Sequence, residues 1–113
     1  YDPVGDCFSE PALRSIGWGG TYLVVGFAAG KIPSLPSNLM LLKGCAVSGV
    51  FIGRFQKEEP VVHAKNLKTL GALLAEGKIN PLISKTVPMK DAVSSIEDIA
   101  RRKILGKVVF LND

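Results

Sequence analysis

The feature that most constrains this chain is its alternation of continuous apolar, β-prone runs with segments of helical spacing, separated by glycine and proline. Residues 8–16 read as a helix: Ser9 suits the cap, Pro11 the first turn, and Ala12, Leu13 and Ile16 make an apolar stripe. After Gly17-Trp18-Gly19-Gly20, the run Thr21 to Phe27 is apolar without alternation, which predicts a strand buried on both faces of a parallel sheet. Ser37 to Leu42 reads as a short helix with Gly44 as its stop, and Ala46 to Ile52 as a second strand. Pro60 opens a longer helix carrying His63, Leu67, Leu70 and Leu74, and Gly77 lies past its end. Leu82 to Val87 is a third strand, Asp91 to Lys103 an amphipathic helix, and Lys107 to Leu111 a last strand. Such alternation predicts an α/β fold with a parallel sheet.

The 113 residues suffice for one domain. The hydrophobic fraction is 47% and mean hydropathy +0.26, yet no run nears the ~18 apolar residues that span a bilayer, so no membrane partner is expected. The apolar excess suits a surface that faces chain missing from this sequence. The opening Tyr1-Asp2-Pro3-Val4-Gly5 reads as a strand end running into a turn, and a cut amino terminus is expected. No signal peptide is visible, and a cytoplasmic location is expected. The net charge of +4 is scattered, and its one cluster, Arg101-Arg102-Lys103, sits near a predicted helix end where cations suit the macrodipole. A nucleic-acid partner is therefore not expected. Cys7 and Cys45 lack C-x-x-C spacing, which argues against a zinc site and a disulfide framework.

The chain has no Walker A loop, no H-E-x-x-H and no G-x-S-x-G. Its one histidine, His63, falls on the apolar face of a helix pattern. Gly17-Trp18-Gly19-Gly20 follows a helix and opens a strand, the reverse of a phosphate loop, so it is a connector. The strand ends carry more. In an open parallel sheet, ligands lie outside the carboxyl ends of the strands. Here those ends are Asp2-Pro3-Val4-Gly5, Gly26-Phe27-Ala28-Ala29-Gly30 and Val50-Phe51-Ile52-Gly53, each rich in or flanked by glycine. Small residues let backbone approach a flat ligand, and Phe27 and Phe51 can wall an aromatic ring.

The ordered set Tyr-Asp-Pro-Val-Gly, Ala-Leu-Arg-Ser-Ile-Gly-Trp-Gly-Gly, Leu-Val-Val-Gly-Phe-Ala-Ala-Gly and Ile-Pro-Ser-Leu-Pro-Ser-Asn-Leu-Met-Leu-Leu-Lys-Gly resembles the quinone oxidoreductases (zeta-crystallin-like) of the medium-chain dehydrogenase/reductase superfamily. The tail from Gly77-Lys78-Ile79 to Gly106-Lys107-Val108-Val109 is similar too. The resemblance implies that residues 1–80 are the carboxy-terminal half of a Rossmann cofactor domain, and that residues 81–113 form a strand-helix-strand return towards a catalytic domain. It implies NADPH as cofactor, a quinone or similar electron-poor acceptor, hydride transfer without zinc, and a homo-oligomer joined through the edge strand 46–52. Val4 and Gly5, Gly26, Phe27 and Ala28, and Val50, Phe51 and Ile52 would line the cofactor, and Arg102 or Lys107 would supply a cation towards its phosphates. No catalytic acid or base and no metal ligand is implied. The family usually has a second glycine where this chain has Asp6, which puts the local turn in question. An enoyl or alkenal reductase and a zinc-dependent alcohol dehydrogenase compete within the superfamily. A non-catalytic half-Rossmann dimerisation module competes from another class.

Overall fold

The computed structural model describes residues 1–112, which form two compact units divided between Pro60 and Val61. In the first, a 3-10 turn at Asp6–Phe8 leads into α1 (Ser9–Ser15), followed by β1 (Thr21–Val24), α2 (Ser37–Lys43), β2 (Ala46–Gly49) and α3 (Ile52–Glu58). β1 and β2 pair in parallel, from Thr21 opposite Ala46 to Val24 opposite Gly49. Asp2 adds a parallel bridge to Val24, so three chain segments run side by side with β1 in the middle. The core is small. Leu13 from α1, Tyr22 from β1 and Leu39 from α2 are buried against one another, with Ile16, Val24 and Val47 packed around them. Burying each leucine contributes about 1.5–3 kcal/mol, which is what ties the two short helices to the strands.

Gly44 ends α2 in the left-handed region at φ 53. Its N–H donates to the Leu41 carbonyl and that of Cys45 to the Met40 carbonyl, which satisfies two orphan acceptors of the helix end. The Trp18 ring lies so close to Gly44 that a Cβ there would come within 2.7 Å of it. Backbone angle and available space thus both call for glycine at this position.

The second unit takes up α4 (Pro60–Ala75) from Val61 onward, then β3 (Ile83–Pro88), α5 (Ala92–Ala100) and β4 (Lys107–Leu111). β3 and β4 are parallel, with an irregularity between Ile83 and Lys85, and the Lys107 N–H reaches the Leu82 carbonyl at 2.8 Å. A right-handed crossover through α5 is the usual way to join two such parallel strands. Val87 and Ser95 are buried, whereas most of α4 is exposed.

The α/β class with parallel pairing agrees with the alternation of the sequence, and four local expectations are corrected. Val50, Phe51 and Ile52 are not strand: β2 stops at Gly49, and Ile52 opens α3. The helix formers Arg54, Gln56, Lys57 and Glu58, with Arg54 and Glu58 paired one turn apart, outweigh a β-prone start. The first strand ends at Val24 rather than Phe27, because Val25 and Gly26 both turn their N–H groups to the Asp2 carbonyl. It is not buried on both faces: Tyr22 is buried, Leu23 and Val24 are half-buried, and Thr21 is exposed. Ser9 is not the cap of α1 but its first residue, and its hydroxyl turns to Asp2 instead.

Candidate functional site

The carboxyl ends of the three parallel segments share one edge. The Val50 N–H donates to the Val24 carbonyl at 2.8 Å, which sets the end of β2 beside the end of β1. On the other flank, the segment Asp2–Asp6 carries the loop that follows β1. The Ala28 N–H donates to the Pro3 carbonyl at 3.0 Å, the Ala29 N–H to the Val4 carbonyl at 2.9 Å, and the Asp6 N–H to the Lys31 carbonyl at 3.1 Å. The structure thereby brings Val4, Gly5, Gly26, Phe27, Ala28 and Val50 to a single edge, as the pattern of strand ends suggests.

Two glycines allow this closeness. A Cβ on Gly26 would stand 3.3 Å from the Pro3 carbonyl oxygen. Gly5 adopts φ 76, and a Cβ there would stand 3.0 Å from Phe27 Cδ1 and 3.2 Å from the Lys31 carbonyl oxygen. The Phe27 ring is thus seated against bare backbone. The turn in question at Asp6 also has an answer: Asp6 keeps the left-handed conformation, at φ 55, that a glycine would take more easily.

Beneath this edge lies a group that sequence reasoning passed over. The Asp2 carboxylate accepts four hydrogen bonds. Oδ1 takes the Val4 and Gly5 N–H groups, both at 2.9 Å; Oδ2 takes the Ser9 hydroxyl at 2.7 Å and the Tyr22 hydroxyl. The Tyr22 bond, then the Gly5 amide and the Ser9 hydroxyl, hold the carboxyl far below the usual carboxylate range. Burial, followed by the bond to Asp2, pushes the Tyr22 phenol up. The signal was present in Asp-Pro-Val-Gly, since an Asp before such a turn characteristically bonds the amides two and three residues on.

Past β2, Val50, Phe51 and Ile52 line a mainly apolar groove of about 410 Å³ with Gly49 and Phe55, to which Arg54, Glu58 and Glu59 add charged groups. Phe51 is 74% exposed, and the space beside Gly49 is open. A flat apolar ring suits these walls better than a charged group would. A second, more polar cleft of about 490 Å³ lies beside the Asp6 turn, between Cys7, Arg14, Lys31 and Ile32. Arg102 and Lys107 belong to the second unit. Arg102 closes α5 in the left-handed region at φ 57, and Lys107 opens β4; both are exposed. Among the described residues no three His, Cys, Asp or Glu side chains are grouped to hold a metal, and no helix is long and apolar enough to cross a membrane.

This arrangement has relatives. Quinone oxidoreductase-like protein 2 of Mus musculus is 36% identical over 106 residues, which is 94% of this chain and 30% of that protein. Its homolog in Nematostella vectensis is 33% identical over 107 residues, 94% of this chain and 29% of that protein. The chain therefore spans under a third of the length of these relatives. A mycobacterial structure complexed with NADPH superimposes with a TM-score of 0.73 at 26% identity, covering 98% of this chain and 34% of the other. A putative alcohol dehydrogenase from Sinorhizobium meliloti 1021 gives the same TM-score at 23% identity, covering 99% and 28%, and shares the fold. The model of the zinc-binding dehydrogenase family matches residues 1–110. With strand ends, fold and sequence in agreement, the chain belongs to the zinc-binding dehydrogenase family within the medium-chain dehydrogenase/reductase oxidoreductases.

Proposed function

We propose that the whole protein to which this chain belongs transfers hydride from NADPH to a quinone or a similar electron-poor acceptor without zinc, in the cytoplasm and as a homo-oligomer. The observation that carries this reading is the shared edge of three parallel carboxyl ends, each loosened by glycine, beside an apolar groove. The mycobacterial relative complexed with NADPH and the relatives named quinone oxidoreductase-like support the choice of cofactor and acceptor. Bound at this edge, the cofactor supplies the hydride. The chain's part is to orient and to exclude water. The Val4–Gly5 and Gly26–Ala28 backbone lies alongside the ring and its sugar, and Val50, Phe51 and Ile52 form a dry wall on the other side. Arg102 or Lys107 supplies a cation towards the phosphates. In the whole protein, residues 1–80 belong to the cofactor domain and 81–113 lead back to the catalytic domain. The free side of β2 joins a second copy.

The test is reduction of quinones by the complete gene product, followed through the absorbance of the reduced nicotinamide, before and after exhaustive chelation. Acceptor-dependent NADPH oxidation that survives chelation is the expected result. Activity that is lost on chelation and restored by zinc would move the protein to the zinc-dependent alcohol dehydrogenases, a reading that the family's description favours. Absence of any cofactor binding would leave a non-catalytic dimerisation module.

A further inference from the structure

The Asp2–Asp6 turn is the support on which the loop after β1 hangs. It accepts from Ala28 and Ala29, donates from Asp6 to Lys31, and backs the Phe27 ring with the bare Cα of Gly5. The turn leaves the sheet at Asp2, which bridges to Val24, and the 3-10 turn follows at once. What fixes the Val4 and Gly5 backbone is the Asp2 side chain, through two amide hydrogen bonds to one oxygen. The other oxygen is anchored by Ser9 at the start of α1 and by Tyr22 in the core, so the carboxylate cannot swing away from the amides. A side chain that locks a turn beneath a ligand edge does more than add stability. It sets the position of everything suspended from that turn, and small displacements at a reacting centre are costly.

We infer that Asp2 is a positioning residue for the cofactor: by gripping the Val4 and Gly5 amides it sets the backbone that carries Phe27 and Ala28 against the cofactor ring. This rests on the cofactor reading given above. Asp2 touches no ligand itself and acts through the turn. Its main-chain bridge to β1 does not depend on its side chain, so substitution leaves the strand pairing in place.

The experiment compares Asp2→Ala, Asp2→Asn and Val87→Ala in the complete gene product by calorimetric titration with NADPH, steady-state kinetics and thermal unfolding. Asp2→Ala frees both amides and weakens NADPH binding about tenfold, with KM for NADPH rising more than kcat falls. Asp2→Asn keeps an amide oxygen for the same two N–H groups and restores binding to within about twofold of the original. Val87→Ala, which truncates a buried residue of β3 in the second unit, lowers Tm and leaves the NADPH Kd unchanged, which separates positioning from general stability. Should Asp2→Ala not fold, Asp2→Ser reads the same effect, with an intermediate loss because one hydroxyl serves one amide. Unaltered affinity in the alanine or serine variant overturns the inference. So does an asparagine variant no better than alanine, or an equal loss in Val87→Ala. If the unsubstituted protein binds no NADPH, the cofactor reading itself falls, and the inference falls with it.

Discussion

Asp2 ties the stability of the first unit to pH. Its carboxyl is held below the usual carboxylate range in the folded chain, so the unfolded chain binds that proton more tightly. The stabilisation is complete above about pH 4, the ordinary range of an aspartate, and is lost as pH falls below it. Tyr22 acts at the other end. Its folded pKa is raised, so its contribution holds at neutral pH and is lost as pH rises past about 10. Urea unfolding between pH 6 and pH 3, values that bracket the titration of about 4, should show a midpoint that drops on acidification. In Asp2→Asn that drop should shrink, with a loss of about 1.5 kcal/mol already present at neutral pH. Asp6, two positions past the Pro3–Val4 pair, holds a left-handed backbone at φ 55. Asp6→Gly should stabilise the folded state by about 0.5–1 kcal/mol, the strain relieved less the entropy added to the unfolded chain, as read from chemical denaturation.

Three helices of the chain finish on the same pattern of crossed hydrogen bonds, and they do not use the same residue. After α2 and α4 the left-handed position is held by Gly44 and Gly77. After α5 it is held by Arg102, whose N–H donates to the Ile99 carbonyl at 2.9 Å while that of Lys103 donates to the Asp98 carbonyl at 2.9 Å. Arg102→Gly should therefore raise stability by about 1 kcal/mol in thermal unfolding. These ends show what the chain discloses in one dimension. Gly44 and Gly77 mark their helix ends in the sequence because glycine is the usual residue there. Arg102 hides its end, since arginine at that angle is tolerated only once the surrounding bonds exist. The start of α3 is hidden for a related reason: Val50-Phe51-Ile52 is locally β-prone, and the outcome is set by the helix formers after it. At the candidate site, the glycine-flanked strand ends were legible as a pattern. Of the Asp2 anchor, the grip on the Val4 and Gly5 amides was legible in Asp-Pro-Val-Gly, whereas the bonds from Ser9 and Tyr22 were not, because those residues arrive from two other elements.

At the scale of the whole molecule, two small units each hold one pair of parallel strands, and parallel sheets are ordinarily covered on both faces. Here Val61, Leu67, Leu70 and Leu74 on α4 are each more than half exposed, as are Val93 and Ile96 on α5. The 113-residue chain on its own should therefore self-associate at micromolar concentration, and sedimentation velocity should show species heavier than 12.1 kDa. A monodisperse monomer would contradict this. Trp18, resting on Gly44, has one more consequence. It is the single tryptophan, and both tyrosines, Tyr1 and Tyr22, also precede Val61. Intrinsic emission is thus a private channel to residues 1–60: melting there lifts Trp18 off Gly44 and frees the buried Tyr22, while residues 61–113 carry no indole or phenol of their own to report their melting. Set beside amide circular dichroism, which registers both halves, that asymmetry lets one unlabelled sample reveal whether the halves come apart together or in sequence.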